Sequence, residues 1–208
     1  MGLRKTSQPE PLREVVDRRA PRDMAGLIGQ LRSADAGERR WAARDLAGFP
    51  EAAAALGEHL LSEHDVSVRE ALLTSLSKIA DEGAASALLP LLRSEDAQLR
   101  NGAIEALASM PSVIGPRIGR LLRDPDPDVR IFTVNLLGDL RHPQVTDWLV
   151  QVLASDDSVN VVAAAIEVLA EVGSPTHVAA LRGARLKFDH DPFIGFAVDI
   201  AIDRVEAA

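Results

Sequence analysis

The 208-residue chain has no cysteine and no tyrosine, and aromatic residues make up only 3% of it. Without cysteine there is no disulfide, no thiolate metal ligand and no cysteine nucleophile. The shortage of aromatics leaves little with which to stack bases or line an aromatic ligand pocket. Lysine is scarce too: of 23 basic residues, 3 are lysine and 20 arginine. Together with abundant alanine, that bias is associated with a GC-rich bacterial genome. No run of 18 or more apolar residues occurs, so no membrane span is expected. Met1-Gly2-Leu3-Arg4-Lys5-Thr6 has no apolar stretch behind its basic residues and does not read as a secretory signal. The expected location is therefore the cytoplasm. The same six residues fit the pattern for N-myristoylation of Gly2, a short pattern that arises often by chance.

What is present is a globular composition, 47% hydrophobic and 26% charged, in a length that suits one domain. The net charge of −8 is unevenly placed. Residues 1–44 carry 10 Lys/Arg against 6 Asp/Glu, and residues 45–208 carry 13 against 25, so the balance runs from +4 to −12. Most of the chain would repel a phosphate backbone, and nucleic acid is not the expected partner.

The chain repeats itself at about 30 residues. Asp35 and Arg39, Asp65 and Arg69, Asp96 and Arg100, and Asp126 and Arg130 share one spacing, and a leucine follows each arginine by seven: Leu46, Leu76, Leu107 and Leu137. Two further units are degenerate. After Ser155-Asp156-Asp157-Ser158 the arginine position is Val162, and after Asp189-His190-Asp191-Pro192 it is Gly195. Terminal repeats are expected to be atypical because they close a stack. Each unit reads as two helices. In the third, Ala84, Ala87, Leu88, Leu91 and Leu92 form one apolar stripe and Leu99, Ala103, Leu107 and Met110 a second, with Asp96 as N-cap between them. Pro90 and Pro116 fall within first helices, where a kink is expected.

Leu121-Leu122-Arg123-Asp124-Pro125-Asp126-Pro127-Asp128-Val129-Arg130 resembles a HEAT repeat of the phycobilisome-lyase-like type. The resemblance covers about residues 24–205. It implies an all-α, right-handed α-α superhelix of about six helical hairpins whose second helices line a concave, protein-binding face. Residues 1–22 do not repeat; they read as a basic N-terminal arm or capping helix, and 23–208 as the repeat domain. The recurring Asp and Arg have a physical reading of their own. Asp35, Asp65, Asp96 and Asp126 each cap a helix. Arg39, Arg69, Arg100 and Arg130 form a column along the stack, each free to fork to a neighbouring Asp or loop carbonyl. The column is taken as structural and not as an anion-binding row.

Candidates for chemistry are few. His59 and His64 are five apart and face different ways, and the His-Glu dipeptides of the iron-binding HEAT hydroxylases are missing. Asp189-His190-Asp191 is the only dense ligand-like cluster, and helix capping accounts for it. No cofactor and no metal site is expected. The HEAT-like DNA glycosylases would need a basic groove, which the acidic balance opposes. The repeat type also suggests a bilin-lyase-type enzyme subunit acting with a partner, as an alternative to a binding protein.

Helical phase projects a concave face from the arginine position of each unit. One row is Arg40, Glu70, Asn101, Ile131, Ala163 and Phe196; the second is Arg44, Thr74, Glu105, Asn135, Glu167 and Ile200. Asp139 and Glu171 add acid at the edge. The face runs from basic, through acidic and amide, to apolar. The expected function is a non-enzymatic adaptor or scaffold in bacterial signalling or assembly, receiving a basic or amphipathic segment of another protein on its glutamates. Phe196 and Ile200 together make an apolar patch able to serve as a homodimer contact. Trp41 and Phe132 are expected to fill core between adjacent helices, and Trp148 to lie in the core or on the convex rim.

Overall fold

A computed structural model describes residues 22–207. The N-terminal arm, the Gly2 pattern and most of residues 1–22 lie outside the described residues. Twelve α-helices form six antiparallel pairs among the described residues, with no strand. The pairs are α1 (Met24–Gln30) with α2 (Ala36–Leu46), α3 (Ala53–Ser62) with α4 (Val66–Ile79), α5 (Glu82–Leu88) with α6 (Ala97–Ala108), α7 (Pro111–Leu121) with α8 (Pro127–Asp139), α9 (Val145–Ser155) with α10 (Val159–Val172), and α11 (Val178–Lys187) with α12 (Pro192–Ala207).

The second helices pack in sequence, α2 on α4, α4 on α6, α6 on α8, α8 on α10 and α10 on α12. The first helices form an outer row, with α3 on α5, α5 on α7 and α9 on α11. Each pair buries its apolar stripes only against its neighbours, so the core is one continuous cluster from Leu27 to Val205. The result is an all-α repeat superhelix.

The expected caps form. Asp35 accepts from the Glu38 backbone N–H, Asp65 from Ser67 and Val68, Asp96 from Gln98 and Leu99, and Asp126 from Asp128. Asp191 caps α12 through Phe193 and Ile194, and exposed His190 pairs with Asp189 at 2.7 Å. Both stripes of the third unit are buried except Ala87, which is half-buried.

Pro90 does not kink a helix. The α-helix stops at Leu88, and Leu89–Arg93 continues as a 3-10 turn. The cause is Pro90 itself, which supplies no N–H and whose ring crowds the carbonyl four residues back. Pro116, in contrast, is accommodated within α7.

Trp41 does not fill the core either; it is 46% exposed, with the Arg44 guanidinium 5.6 Å from its ring centre. It stands two residues after Arg39, and that position faces the preceding unit: Gly102 sits under Leu73, and Phe132 lies 4.5 Å from the Arg100 guanidinium. Phe132 is half-buried against the core, and half-buried Trp148 stacks on His142 at 4.7 Å.

Candidate partner-binding groove

The arginine column has one constant partner and one variable partner. The constant one is the backbone carbonyl six residues back, in the loop that joins the two helices of the same unit. Arg39 donates to Ser33 O at 3.0 Å, Arg69 to Glu63 O at 2.6 Å, Arg100 to Ser94 O at 2.6 Å and Arg130 to Asp124 O at 2.9 Å. Those loop carbonyls have no helical partner, and the guanidinium satisfies them.

The variable partner lies one unit on. Arg39 forks onto Glu63, at 2.7 and 2.9 Å, and Arg130 forks onto Asp156, at 2.7 and 3.1 Å. Arg69 reaches Asp96 at 2.8 Å. Arg100 meets the Phe132 ring instead, while Arg93 takes Asp124 and Asp126. The residue two before each cap position was not singled out by the repeat pattern. In every one of these loops its side chain accepts the N–H of the cap residue: Ser33 from Asp35, Glu63 from Asp65, Ser94 from Asp96, Asp124 from Asp126, Asp156 from Ser158. The available signal was its constant polarity under changing identity.

Glu63 is the most buried acid of the series, 4% exposed. The Arg39 guanidinium, against the opposing cost of burial and with help from the Asp65 and His64 backbone N–H groups and His59, holds its carboxyl down at about 2. Asp96 lies below the usual range because the Leu99 backbone N–H and Arg69 favour its charged form.

The projected face lies beside the arginine column on the same helices, and Arg69 lines part of it. Glu70, Thr74, Asn101, Glu105, Asn135 and Glu167 are exposed, as are Arg44 and, at the far end, Phe196 and Ile200; Arg40 and Ile131 are half-buried. An open groove of about 580 Å³ between α4 and α6 brings four of these together, Glu70, Thr74, Asn101 and Glu105. Ser77 and Ser109 close one end of it with a 2.6 Å hydrogen bond. Gly102 lines the groove as well, and a Cβ there would stand 2.4 Å from Leu73 Cδ1, so any larger residue would have to push the Leu73 side chain aside. The remaining predicted residues lie on α2, α8, α10 and α12 and do not share this groove.

Among the described residues no group of three or more His, Asp or Glu converges as a metal site would require, and no helix is long and apolar enough to cross a membrane. Stacked helical hairpins that each pack against their neighbours define an α-solenoid.

The particular kind follows from comparison with known proteins. The family model for HEAT repeats matches residues 24–108 and 116–196, and the chain belongs to that family. The match is to HEAT repeats in general and not to the phycobilisome-lyase type. No curated protein matches the chain. Among solved structures, a Tumor Overexpressed Gene (TOG) domain array of a microtubule polymerase, from a study of tubulin recruitment and assembly, aligns at 13% identity and TM-score 0.54. That alignment covers 88% of this chain and 46% of that one. An archaeal HEAT-like repeats protein from Thermococcus onnurineus NA1 aligns at 16% identity and TM-score 0.41, covering 88% and 87%. A designed armadillo repeat protein in complex with the peptide (KR)4 aligns at 18% and 0.42, covering 88% and 100%. HEAT solenoids are commonly protein-interaction scaffolds and typically non-catalytic.

Proposed function

We propose that this chain is a non-enzymatic adaptor that binds a basic or amphipathic segment of a partner protein along the inner row of second helices, in bacterial cytoplasmic signalling or complex assembly. The observation that carries the reading is the α4–α6 groove, where Glu70 and Glu105 flank the neutral hydrogen-bonding groups of Thr74 and Asn101 on an open surface. Glu167 continues the acid along α10, with Asp139 and Glu171 beside it. Exposed carboxylates in a row attract a cationic segment and set its register more than its affinity, so binding is expected to weaken as salt rises. The arginine column belongs to the scaffold in this reading: its guanidinium groups are already engaged by loop carbonyls, acids and a ring.

Titration of a labelled lysine-rich peptide tests the reading. The Glu105→Lys, Glu167→Lys double variant is expected to bind roughly tenfold more weakly than the wild type, a loss concentrated in the association rate. Equal affinity for the two proteins would refute it.

A further inference from the structure

The sixth unit inverts the pattern of the other five. Four residues after the arginine position, the first five units have Ala43, Leu73, Ile104, Val134 and Ile166, all buried or half-buried. Eight residues after it they have Ala47, Ser77, Ala108, Gly138 and Ala170, all small. These positions face the following unit: Leu73 covers Gly102, and Val168 lies against Gly138. In α12 the same two positions are Asp199 and Asp203, both exposed. Another hairpin stacked there would strip water from two carboxylates, so α12 ends the stack.

Phe193, Phe196 and Ile200 are therefore not a stacking surface left uncovered. Phe196 and Ile200 occupy the groove register, the one filled by Glu70 and Thr74 in the second unit, and Phe193 falls on the same stripe of α12. They are 61%, 66% and 42% exposed.

The surroundings say what fits. Asp199 and Asp203 border the stripe on α12, and exposed Glu167 and Glu171 lie on α10, the helix packed beside it. Arg185 pairs with Asp199 from the outer row, and Arg204 is the one cation of α12. A second copy docked symmetrically on this stripe would bring two such acidic rims together, on chains that each carry −8. A segment with an apolar ridge and lysine or arginine on both flanks instead matches apolar to apolar and cation to carboxylate.

We infer that α12, with the adjoining edge of α10, is an apolar anchor site for an amphipathic, cation-flanked segment of a partner protein, whose basic continuation runs toward Glu105 and Glu70. The inference rests on the groove-binding function proposed above and gives that groove a direction, with charge readout in the middle and an apolar anchor at the C-terminal end.

Two labelled synthetic peptides of about 18 residues, roughly five helical turns, test it. One carries leucine at helical spacing among lysines; in the other, glutamine replaces every leucine. The wild type is expected to bind the leucine peptide about tenfold more tightly than the glutamine peptide. Phe196→Gln and, separately, Ile200→Asn should abolish that preference by weakening the leucine peptide to the level of the glutamine peptide, with the helical circular dichroism intact. Equal wild-type affinity for both peptides, or a preference that survives both substitutions, overturns the anchor and leaves the acidic groove standing. If neither peptide binds, both are overturned. A wild-type mass of two chains by light scattering, halved by Phe196→Glu, overturns the inference in favour of self-association.

Discussion

In the first four units an arginine at the start of the second helix reaches back to a carbonyl in its own loop. In the fifth unit the equivalent residue is Val162, fully buried, and the equivalent carbonyl belongs to Asp156. That carbonyl is met by Lys187, at the end of α11, whose Nζ lies 2.7 Å away and also 3.3 Å from Ala154 O. In these five units a cation meets that carbonyl, and in the fifth it is not an arginine at that position in the chain. A bond made within one unit in the first four units is made between units at the fifth. The acids beside these cations differ too. Glu63, under Arg39, is almost fully buried, whereas Asp157, beside Lys187, is 96% exposed.

Substitutions that separate these two solutions should differ in size. The largest effect is expected from Glu63→Gln, which leaves Arg39 facing a neutral amide in a buried setting; it should cost about 3 kcal/mol in urea denaturation. The same pair has a pH signature. The Glu63 carboxyl is held at about 2 in the folded chain, below its ordinary value of 4.5. Its stabilising contribution is therefore complete above that ordinary value and fades as pH falls toward 2. The stability gap between wild type and Glu63→Gln should narrow over that window; a constant gap would remove the ion pair from the account.

Gly57→Val should follow at about 2 kcal/mol. A Cβ at Gly57 would lie 2.6 Å from Ala87 Cβ, and the outer helices α3 and α5 would have to part. Lys187→Met should cost about 1 kcal/mol through the loss of two carbonyl partners. If it proved as damaging as Glu63→Gln, the first and fifth units would depend equally on their cations. The smallest effect has the opposite sign. Ala80 closes α4 with φ of 50°, in the left-handed region, so Ala80→Gly should stabilise the chain by about 0.5 to 1 kcal/mol, read as a rise in melting temperature.

Much of this architecture was legible in the sequence because each unit repeats the same physical demand. The capping aspartates, the following leucines and the apolar stripes recur at fixed spacing. What escaped was set by contacts between units. The exposure of Trp41 and the 3-10 turn at Leu89–Arg93, where a proline late in the helix had to be accommodated, were not foreseen. The partners of the arginines were legible only in part. Asp96 was visible as a recurring acid, but Glu63 and Asp156 stand two residues before the cap position, outside the Asp-Arg pattern, and Lys187 lies in an element with no arginine to suggest its role. Asp199 and Asp203 were in view, yet their meaning as the end of the stack needed the register that Leu73 and Gly102 define.

The most direct test of the central claim is to follow backbone amide chemical shifts while the leucine–lysine peptide is added. Changes confined to the inner row, at Glu70, Thr74, Asn101, Glu105 and Glu167 and extending to Phe196 and Ile200, are the predicted result. Changes centred on the outer helices α3, α5 and α7, with the inner row silent, would contradict it.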